Sequence, residues 1–172
     1  MTTKRHILFF QVLKLLLACL IVASSMWITE YFNIVEISAL LPSLSTSPIQ
    51  IIGAAIIIMG LPMFLTGIVF LRHTGLNDDS RFFQVSGIYC FLRNPVSSGF
   101  YTTLFGTGLI MNKTGLVMAG IFGFICSCAL AKAEEKQIIK TLGKEYIEYR
   151  NTTPLMIPNI PLLIKVLIGK QH

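Results

Sequence analysis

The chain has 172 residues, 53% of them hydrophobic and 13% charged, with 14 Lys and Arg against 8 Asp and Glu, and its mean hydropathy is +0.71. Soluble chains carry about 25% charged residues, so about half of the usual water-facing material is missing. This excludes a disordered segment, a nucleic-acid-binding domain and a secreted disulfide scaffold, and places the chain in a bilayer. Cys19, Cys90, Cys126 and Cys128 follow no zinc spacing, and three of them lie in apolar runs, so they read as reduced packing residues. His6, His73 and His172 are too scattered to form a metal site.

In chain order, 7–29 and 49–71 are apolar runs of 23 residues, each long enough to cross the hydrocarbon. The first is longer than a signal-peptide core and has no small-residue cleavage site after it, so it reads as a retained helix. Two runs of 17 residues follow, 96–112 and 115–131, at the lower limit for spanning, and they form a tight hairpin around Asn112, Lys113 and Thr114. The polar stretch 72–86 before them reads as a linker rather than a lid. After the fourth run, 134–149 carries Ile138, Ile139, Leu142, Tyr146 and Tyr149 at helical spacing, which predicts an amphipathic helix continuing that span, weakened midway by Gly143. The apolar tail 155–168 is too short to span and is expected to lie along the interface. The expected fold is therefore an all-α membrane protein of about four transmembrane helices over 1–172, with a cytoplasmic C-terminal amphipathic helix.

Basic residues set the orientation. With the N-terminus inside, 12 of the 14 Lys and Arg fall on the inner side and only Lys113 on the outer, while the 30–48 loop holds two Glu and no cation. The remaining cation, Lys14, lies in the inner half of the first run, where its stem can snorkel to the interface. The positive charge is then a topology signal and an attraction to anionic lipid, with no nucleic-acid partner implied.

Small residues replace the hydrophobic drive where helices meet in lipid. Gly115, Ala119, Gly123, Ser127 and Ala131 recur every four residues, and Gly99, Thr103 and Thr107 of the third run are expected to answer them. Gly53, Gly60 and Gly67 recur every seven and mark the contact face of the second run, with a kink at Pro62.

The short hairpin brings polar residues together. Arg93 lies 20 residues before Lys113 and Glu134 lies 21 after it, so both arms return to the same side. Asn94-Pro95 suits a helix start, Asn as the cap and Pro in the first turn. One reading of this convergence is a structural Arg-Glu pair closing the hairpin; the other is an anion-binding Arg facing two carboxylates in an active site.

Gly87-Ile88-Tyr89, then Arg93-Asn94-Pro95 with Gly99, then Glu134-Glu135, the stretch Leu142-Gly143-Lys144-Glu145-Tyr146-Ile147-Glu148-Tyr149 and finally Pro158 resemble the integral-membrane methyltransferases, which include isoprenylcysteine carboxyl methyltransferases and phospholipid methyltransferases. The resemblance covers 87–158, and no short piece of it is specific by itself. It implies an enzyme that takes S-adenosylmethionine from the cytoplasm and a lipid or lipidated acceptor sideways from the bilayer, with 87–158 as the cofactor-binding region. It assigns Gly87, Tyr89, Glu134 and Glu135 to the cofactor, Arg93 and Asn94 to cofactor binding and catalysis, and Ser97, Tyr146 and Tyr149 to the acceptor pocket. The family's His after the Arg is Asn94 here, its Tyr after the Pro is Ser97, and the Pro of its first motif is Ile88. Asn cannot titrate near neutral pH, so a proton-accepting role for that His is absent. An ionised carboxylate acceptor needs no base, whereas an ammonium acceptor must first lose a proton, which favours an isoprenylcysteine-type acceptor over phosphatidylethanolamine. The rival readings are a catalytically inactive membrane relative and an NADPH-dependent membrane reductase. The chain has no G-x-G-x-x-G and little cytoplasmic mass for a dinucleotide.

Overall fold

The computed structural model describes residues 2–31, 46–71 and 87–158. All regular structure among them is helical: α1 (Thr2–Tyr31), α2 (Thr46–Leu71), a 3-10 turn (Gly87–Cys90), α3 (Pro95–Ile110), α4 (Thr114–Leu142) and α5 (Lys144–Thr152). The 72–86 linker and most of the 155–168 tail lie outside the described residues. Three stretches, Val12–Tyr31, Pro48–Phe70 and Thr114–Leu142, are long and apolar enough to cross a membrane, and the chain is an integral membrane protein. Helix is the form such segments must take, because lipid offers no partner to an unpaired N–H or C=O. The third run is the exception in length. At 16 residues α3 rises about 24 Å, short of the roughly 30 Å hydrocarbon core.

The helices run up and down. Gly53 of α2 meets Gly106 of α3, Gly60 meets Gly99 and Thr103, and Gly67 meets Val96, an antiparallel contact along the whole of α3. A Cβ at Gly60 would lie 2.8 Å from Thr103 Oγ1 and 2.9 Å from its backbone N, so the two backbones touch. The glycine face read from the second run is thus its contact face, and α2 continues through Pro62 without a break. The partner expected for Gly99 and Thr103 is corrected: both face α2 rather than α4. On its other side α3 meets α4 with Gly108 against Val117, Gly120 against the Phe105 backbone and the Tyr101 ring against Gly123. The α4 stripe also serves α1, with Gly115 against Ser25 and Thr29. α1 therefore packs on α4, distant in sequence, and the close contacts run in the order α2, α3, α4, α1. Large side chains such as Leu20, Trp27, Ile58 and Met59 are exposed, as lipid-facing residues should be, while the buried positions are mostly small.

The α3–α4 hairpin closes as its residues require. Asn112 adopts φ 55, a left-handed conformation that Asn tolerates better than most residues. Lys113 N–H donates to Gly108 O at 2.9 Å and Asn112 N–H to Leu109 O at 3.3 Å, the paired bonds that satisfy the last carbonyls of a helix. At the other end of α4 the helix predicted over 134–149 is broken. Gly143, at φ +62 and ψ −128, takes a conformation that only glycine adopts cheaply, and α5 leaves in a new direction that carries Tyr146 and Tyr149 back toward the bundle.

Candidate active site at the open end of the bundle

Alternating directions place the N-terminal part of α1, the end of α2, the start of α3 and the last third of α4 at one end. From Thr114 to Glu134 α4 rises about 30 Å, one hydrocarbon thickness, so its carboxylates stand at the far boundary from the hairpin. Glu134 and Glu135 are successive helical residues and point about 100° apart, and they serve different neighbours. Glu135 accepts a hydrogen bond from Arg93 Nη1 and pairs with it, while Arg93 Nε donates to Thr153 O at 2.7 Å. The Tyr146 hydroxyl donates to the same Glu135 oxygen at 3.4 Å. Glu134 pairs instead with Lys14 Nζ of α1. All four charged side chains are about nine-tenths buried, at 10–11% relative exposure. Charges so placed persist only when paired and hydrogen-bonded. Lys14, expected to snorkel to the interface, is directed across to α4, because a carboxylate there satisfies it.

A strap of chain behind α5 closes this end. Arg93 N–H donates to Pro154 O at 2.9 Å and Asn94 N–H to Leu155 O at 3.1 Å, and Ser98 Oγ donates to Met156 O at 2.6 Å. Leu92 and Met156 are buried beside these bonds. The 3-10 turn is tied into the same corner: Gly87, at φ +60, lies against the Phe70 ring of α2, Tyr89 donates to Gly67 O at 3.3 Å, and Tyr149 donates to Tyr89 O at 2.7 Å. Burial, and then the charge of Glu135, pushes the Tyr146 hydroxyl up to about 12. Burial likewise raises Tyr89, with Glu134 adding to it, and Tyr149, with Tyr146 adding. All three are neutral donors at physiological pH.

The structure thus brings Arg93, Glu135 and Tyr146 into direct contact and ties Tyr89 to Tyr149 beside them. Glu134 stands at the same level, turned toward α1. The Asn94 side chain makes no cap hydrogen bond, although Asn94 occupies the cap position and Pro95 the first turn; the backbone C=O of Asn94 accepts from Ser98 N–H at 3.1 Å. Ser97 is half-buried, and it is its neighbour Ser98, 2% exposed, that anchors the strap. Lys14, Ser98 and Thr153 join this cluster and are not among the site residues expected from sequence. For Lys14 a signal existed, since a cation inside an apolar run asks for a partner. Ser98 and Thr153 carry none, because only packing separates them from neighbouring hydroxyl residues. No disulfide joins the four cysteines.

Fold and site define a class: a helical integral membrane protein that gathers two cations, two carboxylates and three tyrosines at one end of its bundle. The chain belongs to the phospholipid methyltransferase family, whose sequence profile matches residues 49–145, from the start of α2 to the start of α5. It is also 29% identical over 143 residues to the protein-S-isoprenylcysteine O-methyltransferase of Saccharomyces cerevisiae, over 77% of this chain and 59% of that relative. The chain therefore spans about three-fifths of the relative's length. No solved structure matches it.

Proposed function

We propose that this chain transfers a methyl group from S-adenosylmethionine to a lipidic acceptor held in the bilayer, with the carboxylate of an isoprenylated cysteine as the acceptor class. The observation that carries the reading is the meeting of Arg93, Glu134 and Glu135 at one end of the bundle, all within the family-matched 49–145 segment. The donor set suits the cofactor. A guanidinium matches its carboxylate, and the bonds Arg93 makes to Glu135 and Thr153 use two of five N–H donors. Carboxylates match its amino group and ribose hydroxyls, and the bonds to Glu135 fall on Oε1. Arg93, Asn94, Glu134, Glu135, Gly87 and Tyr89 would hold it, within a cofactor-binding region over 87–158, with Ser97, Tyr146 and Tyr149 facing the acceptor.

When bound, S-adenosylmethionine would supply a methyl group on a sulfonium, taken in line by the acceptor with the neutral thioether as the leaving group. What the chain supplies is alignment and exclusion of water, and orientation of two reactants is worth about 7–11 kcal/mol. A proton acceptor is harder to find among these residues. Asn94 does not titrate, the three tyrosines are held neutral, and both carboxylates are paired with cations. That chemistry favours an acceptor already anionic at neutral pH. Phosphatidylethanolamine is the second reading, favoured by the description of the matched family; there the amine must shed its proton to water. Both termini and the site would face the cytoplasm, where the excess of Lys and Arg lies.

The test is methyl transfer from labelled S-adenosylmethionine by the purified chain in lipid, with a prenylated cysteine acid and phosphatidylethanolamine offered separately. Label in a base-labile ester on the cysteine acid is expected. Label in the phospholipid alone moves the assignment to the amine, and label in neither overturns the enzymatic reading.

A further inference from the structure

Lys14 is the one member of the charged set that lies outside the family-matched 49–145 segment, and it reaches the site from α1. The α1–α4 contact is made elsewhere by small residues, with Ala18 buried on α1 and Gly115 of α4 against Ser25 and Thr29. A buried ion pair is also a poor device for holding helices together, since well-packed apolar residues of the same volume do as well or better. Near the end of a membrane-spanning stretch, as Lys14 is in Val12–Tyr31, a Lys can send its ammonium to the headgroups at little cost, yet Lys14 Nζ lies on Glu134 Oε2 with both side chains 11% exposed.

What the pair does accomplish is to separate two adjacent carboxylates. Glu134 and Glu135 repel when both are ionised in one low-dielectric corner. Lys14 holds Glu134 on the α1 side and neutralises it there, which leaves Glu135 to Arg93 and Tyr146. The charge of Glu134 is felt across the corner, raising both Tyr89 and Tyr146.

We infer that Lys14 is a positioning residue of the site, acting through Glu134 to hold that carboxylate in place for the cofactor and so making α1 part of the cofactor site. This rests on the reading that the site binds S-adenosylmethionine. The measurement is calorimetric affinity for S-adenosylmethionine, together with melting temperature, on the full chain in nanodiscs. Lys14→Met is expected to weaken binding about tenfold, and Lys14→Arg, which keeps the charge, to stay within about threefold of wild type, in the ordinary range of site coupling. The exchange Lys14→Glu with Glu134→Lys separates position from glue: it re-forms the interhelical pair and the melting temperature, but leaves a cation where the carboxylate stood, so affinity stays low. Unchanged or tighter binding by Lys14→Met, or an exchange variant that recovers affinity along with stability, overturns the inference while the cofactor reading stands. A Lys14→Met chain that does not fold leaves the Arg and exchange variants to decide it. A wild type that binds no S-adenosylmethionine overturns the cofactor reading, and this inference with it.

Discussion

Arg93 pairs with Glu135 among the described residues. Its guanidinium is 10% exposed, its Nη1 lies on Glu135 and its Nε on the Thr153 carbonyl, so truncation strands a buried anion. Arg93→Met is expected to cost about 3–5 kcal/mol, the usual penalty for removing one partner of a buried pair, whereas Arg93→Met with Glu135→Met should recover most of it. Unfolding of both variants in mild detergent reads the difference; equal losses would show that the ion pair is solvated and weak. Tyr146 belongs to the same contact and gives a pH signature. Its hydroxyl is raised to about 12 by burial and Glu135, so the folded chain holds the proton that the unfolded chain releases near 10. The stability from this site is whole below about pH 10 and is lost as pH rises toward 12. The melting temperature of wild type should therefore fall faster across that window than that of Tyr146→Phe, and parallel curves would contradict the assigned burial.

At the scale of helices, two kinds of contact hold the bundle, and they differ in what they tolerate. α2 and α3 meet backbone to backbone at Gly53, Gly60, Gly99 and Gly106, and α3 and α4 do so where Gly108 meets Val117 and Gly120 meets Phe105, while at Gly123 the Tyr101 ring lies against the glycine instead. In lipid the first kind gains from dispersion at the closest approach and has no slack. Gly60→Val, whose Cβ would meet Thr103 at 2.8 Å, should destabilise the chain by about 1–3 kcal/mol, the cost of overpacking. Ile58→Val, on a 72% exposed lipid-facing position, should stay within about 0.5 kcal/mol. Differential scanning fluorimetry of the two side by side checks this, and equal melting temperatures would mean that α2 and α3 do not touch as described.

For the whole molecule, alternating helix direction and the distribution of cations lead to one arrangement in the bilayer. The hairpin with Lys113 stands at one face, and the charged end of the bundle with Lys132, Lys136 and Lys140 at the other. Single cysteines placed in a background without the four native thiols should show Lys113→Cys labelled by an impermeant maleimide from outside intact cells and Lys140→Cys only after lysis. The reverse pattern would put the site on the outer face, away from the cytoplasmic cofactor supply that the proposed reaction needs.

The sequence by itself determined the class of the fold, because the length of an apolar run and the lack of charge within it are local properties that the bilayer enforces on any chain. It also determined that Arg93 and the two carboxylates share one end, since a tight turn at 112–114 with arms of nearly equal length allows little else. The contact face of α2 was legible for the same reason: a seven-residue glycine period is a property of one helix. Which helix that face meets was decided only by the tertiary structure, and so was the partner of Gly99 and Thr103, because a small-residue stripe says that something comes close and not what. Lys14 on Glu134, Ser98 on the 153–156 strap and the turn of α5 at Gly143 are decided there as well. Each depends on which of several neighbouring polar groups the packing leaves within a hydrogen bond's reach, and that distance does not exist until the helices have been set side by side.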